Sequence, residues 1–276
     1  MKVICIVNLK GGVAKTVSAI NIAHILWSRH NKNVLLIDND KQGNTSKFFK
    51  CHNYDRPSIA DVLTSKDPRS IGEAAQNTPR HWQLPYFDII PANMNLLRAD
   101  REILLDVTRP QQTRLKKALG VVEELKGNIY DYVVIDCAPD LNMSVINALV
   151  ASDHVLIPIK IDNFALDGVE QLLEQIEETK EFNPSLRVAG GFVTMYSRSN
   201  VNTQGIDLLK DRAGLPMFET VIRKTVKVDE TTFTGVPLTE YAPKSTAARD
   251  YVALVDEYIE KFENVTDNVT NEVGGQ

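Results

Sequence analysis

With 276 residues, 43% of them apolar and 24% charged, the chain has the composition of an ordinary globular protein with enough apolar content for a buried core. Its formal net charge of −5 argues against a surface that coats nucleic acid all round, while leaving room for a local basic patch. No run approaches the roughly 20 apolar residues that span a bilayer, no secretory signal is expected around the short first strand, and Cys5, Cys51 and Cys137 lack the spacing of a disulfide framework or zinc site.

The first predicted strand is Val3–Val7, followed by Asn8-Leu9-Lys10-Gly11-Gly12-Val13-Ala14-Lys15-Thr16 and a helix over Thr16–Arg29 with Val17, Ile20, Ala23, Ile25 and Leu26 apolar. Strand, glycine-rich loop and helix in that order form a phosphate cradle. Glycines let backbone N–H groups turn toward phosphate oxygens, and the helix N-terminus adds partial positive charge. In such a loop Lys15 reaches the β and γ phosphates and the Thr16 hydroxyl ligates Mg²⁺.

A second strand, Val34–Ile37, runs into Asp38-Asn39-Asp40-Lys41-Gln42-Gly43-Asn44. Carboxylates there are costly in a core and natural beside a metal-bound phosphate, where one can orient an attacking water. Phe87–Ile90 reads as a further strand, and Gln112–Leu125 as a helix with Leu115, Leu119, Val122 and Leu125 at helical spacing. Strand Tyr132–Ile135 then ends in Asp136-Cys137-Ala138-Pro139-Asp140. An apolar strand ending in aspartate is the second Mg²⁺-holding element of such nucleotidases. Cys137 reads as a small buried hydrophobe.

Strand His154–Ile159, helix Ala165–Thr179, strand Ala189–Thr194 and an amphipathic segment Tyr251–Phe262 complete the pattern. Continuous apolar strands alternating with amphipathic helices predict an α/β fold, a mainly parallel sheet with helices on both faces. Ligands of such sheets bind at the carboxyl ends of the strands, where the three polar motifs lie. One domain over residues 1–262 is expected, with 263–276 a polar, fraying tail. Its N-x-T triplets at Asn264 and Asn268 are expected to stay unmodified.

These motifs resemble the ParA/Soj branch of the deviant Walker-A ATPases, a superfamily that also holds MinD and the nitrogenase iron protein. The family's xKGGxGKT is matched by Lys10–Thr16, its D-x-D-P-Q-G-N by Asp38–Asn44 and its D-x-[AP]-P by Asp136–Pro139. Ile157-Pro158, Phe164–Gly168, Thr194-Met195-Tyr196, Gly235–Leu238 and Tyr241–Ser245 extend the likeness to roughly residue 262.

The resemblance implies ATP and Mg²⁺ as cofactors, with nucleotide contacts from Lys10, Gly11, Gly12, Val13, Ala14, Lys15, Thr16, Val17, Asp136 and Met195. Thr16, Asp38 and Asp136 are implied at the metal, and Asp38, Lys10 and Lys15 in catalysis. Lys10 takes the place of the signature lysine, which crosses a dimer interface to the partner's phosphates; the alternative is an exposed loop lysine with no role. Two residues depart from the pattern. Ala14 replaces glycine, harmless at helical φ and costly at positive φ. Lys41 replaces proline and either holds the neighbouring carboxylates ionised or points into solvent.

Within the family, the ATP dimer binds DNA, membrane or a bridging cluster. The segment Tyr251–Phe262 carries Asp256, Glu257 and Glu260 against Lys261 alone, which anionic lipid would repel, and one cysteine near the site does not build a cluster. Residues 187 to 249 hold nine Lys/Arg against six Asp/Glu. Arg223-Lys224-Thr225-Val226-Lys227 resembles the family's basic segment. Arg198, Arg223, Lys224 and Lys227 are the candidate DNA contacts, the alternative being a solvated basic face. The expectation is a cytoplasmic, nucleoid-associated ATPase. It would dimerise with ATP, bind DNA without sequence preference and answer to a ParB-like adaptor. A positioner of protein cargo and a metabolic enzyme acting on a small molecule are the rivals.

Overall fold

The structure, a computed structural model, describes residues 1–77, 87–126, 129–162 and 164–263. The predicted tail from residue 264 onward, with both N-x-T triplets, lies outside them. The strands are β1 (Lys2–Ile6), β2 (Val34–Asn39), β3 (Gln76–Asn77), β4 (Asp88–Ile90), β5 (Tyr132–Cys137), β6 (His154–Ile159) and β7 (Arg187–Val193), in sheet order β3-β4-β2-β5-β1-β6-β7. All neighbours pair in parallel except β3, a two-residue antiparallel edge on β4. The parallel sheet is as predicted. The edge strand was not foreseen, because two polar residues joined through backbone hydrogen bonds leave no apolar period to read.

The helices in chain order are α1 (Lys15–Ser28), α2 (Asn44–Phe48), α3 (Ile59–Thr64), α4 (Ile71–Ala74), α5 (Asn95–Leu105), α6 (Arg114–Lys126) and α7 (Met143–Ala151). They continue as α8 (Ala165–Thr179), α9 (Asn200–Arg212), α10 (Val226–Thr234), α11 (Leu238–Tyr241) and α12 (Thr246–Phe262). Because successive strand side chains point to opposite faces, the central strands split their residues between two cores. Val3, Cys5, Leu35, Ile37, Val133 and Ile135 pack with α3, α5, α6, α7 and α8. Ile4, Ile6, Leu36, Val134 and Leu156 pack with α1 and α12. Each large apolar side chain buried this way contributes roughly 1.5–3 kcal/mol.

The apolar stripe of α12, comprising Tyr251, Leu254, Val255 and Tyr258, lies against α1 and the sheet. The Tyr251 hydroxyl shares a hydrogen bond with Ser18 at 2.9 Å, and the Tyr258 hydroxyl meets His154 Nδ1 at 2.6 Å. The stripe that would have to enter a lipid surface is therefore spent in the core. No helix among the described residues is long and apolar enough to cross a membrane.

Candidate nucleotide site

The parallel register aligns the ends of β1, β2 and β5, with Ile6 beside Asp136 and Asp38 beside Asp136. The three motifs are thus brought together by strand pairing, before any side chain is considered. From the end of β1 the chain turns through Gly12 at φ 71° into α1. Among the described residues no hydrogen-bond acceptor meets the backbone N–H groups of Gly11 to Val17; the first such bond runs from Ser18 N–H to the Ala14 carbonyl. A row of open N–H groups at the head of a 14-residue helix is an anion site.

Asn8 braces this loop. Its amide donates to the Pro158 carbonyl and its oxygen accepts from Lys10 N–H, both at 2.9 Å. The Thr194 hydroxyl, at the end of β7, donates to the Val13 carbonyl at 3.1 Å. Lys15 folds back over the loop, giving its ammonium to the carbonyls of Asn8 (3.0 Å) and Lys10 (2.7 Å). Burial lowers its pKa, against the upward pull of Asp136 and its neighbours. A buried ammonium resting on carbonyls alone is poised to move to phosphate oxygens.

Asp38 is fully buried and accepts from Ser46 N–H at 2.8 Å and from the Ser46 hydroxyl at 2.6 Å. Burial, then the charge of Asp136, pushes its pKa up against those bonds. Asp136 is raised too, chiefly by burial, while hydrogen bonds with Thr45 and Thr16 pull it down. Thr45 donates to Asp136 Oδ2 at 2.7 Å, yet Oδ1 is buried with no partner among the described residues.

That orphan oxygen beside the Thr16 hydroxyl fits Mg²⁺, which keeps several waters and takes one or two protein oxygens with phosphate completing its shell. The described residues contain no cluster of three or more His, Cys, Asp or Glu side chains set to hold a metal. Phosphate oxygens of a triphosphate on the loop, with waters, would complete the shell.

Lys10 does not point into its own loop. Its ammonium pairs with Asp162 Oδ1 at 2.6 Å and lies 5.6 Å from the centre of the exposed Phe164 ring. Lys41 bonds Asp140 Oδ2 at 2.7 Å. That corrects the solvent-pointing expectation for Lys41: it ties the Asp38 loop to the Asp136 loop, with the charge of Asp40 also acting on it.

Two cavities flank the loop. One, of about 350 Å³, is lined by Thr16, Val17, Asn21, Asn44, Phe48 and Thr231 among others. The other, of about 80 Å³, lies between Ala14, Val17, Met195, Ile222, Lys224 and Tyr251. Met195 lines this second cavity beside the loop, and Arg223, Lys224 and Thr225 of the basic segment line it too. Arg223 is held by Asp250, with Nη2 to Oδ1 at 2.6 Å and Nε to Oδ2 at 2.9 Å, and Lys227 pairs with Glu230 at 2.8 Å. Lys224 and Arg198 are exposed and make no ion pair among the described residues.

Sequence reasoning missed Thr45, Ser46 and Asp162. The first two directly follow the Asp38–Asn44 motif, a legible signal; the third sits 152 positions from Lys10 and leaves none.

Ala14 adopts φ 67°, ψ 31° at the head of α1, the costly alternative for a residue with a Cβ. The left-handed conformation costs roughly 1–2 kcal/mol for a non-glycine residue. Ala14→Gly is expected to raise unfolding stability by about 1 kcal/mol, read as a higher denaturant midpoint; a lower midpoint would contradict the strain.

A family model described as an AAA domain matches residues 1–188. The sporulation initiation inhibitor protein Soj of Bacillus subtilis is 35% identical over 93% of this chain and 97% of its own. The chromosome partitioning protein ParA of Caulobacter vibrioides is 36% identical over 95% of each. The chain belongs to the ParA/Soj family. Among solved structures, cobyrinic acid a,c-diamide synthase of Mycobacterium smegmatis, with bound ATP analogue and magnesium, superposes with a TM-score of 0.76 at 28% identity, covering 93% of both chains. ParA/Soj membership and the P-loop architecture thus agree with the site built from β1, β2 and β5.

Proposed function

We propose that the chain is an ATP-driven dimerising switch that binds DNA without sequence preference and positions a DNA cargo, with hydrolysis stimulated by a ParB-like adaptor. ATP occupies the Gly11–Thr16 loop. Bound Mg²⁺ supplies charge neutralisation at the β and γ phosphates, and Thr16 and Asp136 are the residues that would hold it. Lys15 leaves the loop carbonyls for the phosphates, and Asp38 orients the attacking water. Residues 1–262 act as one domain in this scheme.

The observation that carries the reading is Lys10, a lysine inside the phosphate motif whose ammonium is turned out of its own loop onto Asp162. Two facing triphosphates would repel, and a lysine offered by each subunit to the other makes dimerisation depend on nucleotide. The Caulobacter relative's role in chromosome partitioning and the exposed cations Lys224 and Arg198 support the DNA role, and the adaptor is the partner proposed to trigger release. Lys224 and Arg198 are assigned to phosphate contacts, while Arg223 and Lys227, each with a carboxylate partner, shape the segment.

The test is ATP turnover alone, with nonspecific duplex DNA, and with DNA plus the adaptor. Stimulation by the pair supports the switch. Turnover that demands a small-molecule acceptor would instead favour a metabolic enzyme, the class named by the Mycobacterium structure. Lys224→Ala is expected to weaken binding to all DNA sequences equally and to reduce the log–log salt slope by about 1.

A further inference from the structure

On the sheet face covered by α3, α5 and α6, a cavity of about 120 Å³ opens between the end of α3 and the start of α6. At about 30 Å³ per water, that is room for one tetrahedral oxyanion. Its lining includes Ser65, Lys66, Arg109, Arg114 and Lys117, and it shares no residue with either cavity beside the phosphate loop.

The two arginines have structural duties. Arg109 donates to the carbonyls of Ser65 (2.5 Å) and Thr64 (3.0 Å), and Arg114 Nη1 to that of Leu63 (3.2 Å). They cap the carbonyl end of α3, where the helix dipole favours cations. Asp106 answers both, at 2.9 Å from Arg109 Nε and 3.0 Å from Arg114 Nη2.

Those duties leave a remainder. The Arg114 side chain is 6% exposed and its buried Nε has no partner among the described residues. Lys66 and Lys117 are exposed and make no ion pair among the described residues. The first turn of α6 contains no acid. Of the four cations on the lining, Arg109 and Arg114 share the carboxylate of Asp106, with Glu102 the other acid acting on Arg114, and Lys66 and Lys117 have no such partner among the described residues. A buried guanidinium N–H left without an acceptor is costly, and arginine with lysine around a pocket of this size suits a phosphate group.

We propose that this cavity is a second anion site, separate from the nucleotide site, which binds one phosphate group. The group is either a free phosphate or one phosphate of a nucleic-acid backbone. Lys66 and Lys117 supply the mobile charges, and Arg109 and Arg114 form the fixed wall.

The experiment uses the full chain saturated with a non-hydrolysable ATP analogue and Mg²⁺, so that the phosphate loop is filled. Inorganic phosphate is titrated against chloride at matched ionic strength with Tm as the readout, and duplex DNA affinity is measured in parallel. The variants are Lys66→Ala/Lys117→Ala and, as a charge-matched control, Lys180→Ala/Lys210→Ala. The expected result is a loss of about tenfold in apparent affinity, confined to the first pair. Loss of the phosphate response alone assigns a free phosphate; loss of DNA affinity assigns the backbone. Phosphate and DNA binding that are both indifferent to Lys66→Ala/Lys117→Ala, or equally reduced in the control, would overturn the site.

Discussion

Lys10→Ala is expected to leave ATP binding measurable and to abolish the ATP-dependent dimer. The Lys10 ammonium is turned away from its own anion site; its partner is Asp162 at 2.6 Å, with side chains 24% and 42% exposed. An ion pair as open as that is worth at most about 1 kcal/mol. A triphosphate presented by a second subunit, in a closing and drying interface, attracts the same ammonium far more strongly. In the proposed dimer the pair with Asp162 is a resting place that gives way to the second subunit's triphosphate. The same reasoning gives Asp162→Ala the opposite sign. Releasing Lys10 should favour the dimer, so that it assembles at lower ATP concentration. Sedimentation of the two variants with ATP and Mg²⁺ reads both signs at once. Dimers of normal stability in Lys10→Ala would remove the lysine from the interface.

Asp38→Asn is expected to lower ATP hydrolysis by roughly 100- to 10,000-fold, the usual reach of a positioned base, while ATP binding and dimerisation persist. The amide oxygen that replaces the carboxylate can still accept the Ser46 N–H, so the loop keeps its anchor. The substitution has a second readout in the protein free of nucleotide and metal. Burial raises the pKa of Asp38 to about 7 and that of Asp136 to about 6. A carboxyl whose pKa is higher folded than unfolded binds more protons in the folded state between the two values. Stability then falls as pH rises across that window, from about 4 to about 7. The apo protein should have a lower Tm at about pH 8 than at about pH 5, and Asp38→Asn should flatten the difference. A Tm rising with pH through that window would contradict the buried, protonated pair.

How far the chain could be read in advance follows from how local each feature is. Strands β1, β5 and β6 were legible because strands buried on both faces must be continuously apolar and β-branched; β6 and α8 match the predicted limits, and α1 is displaced by one residue at each end. The phosphate loop was legible because strand, glycines, lysine and helix are contiguous. Asp38 and Asp136 were legible because each ends an apolar strand. The pairings that set their chemistry were not. Asp136 meets Thr45 across 91 positions and Lys10 meets Asp162 across 152, distances at which no period or spacing survives. Arg223 shows the same limit from the other side: it reads as one more exposed cation in a basic run until Asp250 is seen against it.

The central claim is that two subunits close over two nucleotides. The direct test is the molar mass of the purified chain in solution, measured with a saturating non-hydrolysable ATP analogue and Mg²⁺ and again with ADP. A dimer with the analogue and a monomer with ADP are predicted. A monomer under both conditions, at nucleotide concentrations shown to fill the loop, would contradict the account.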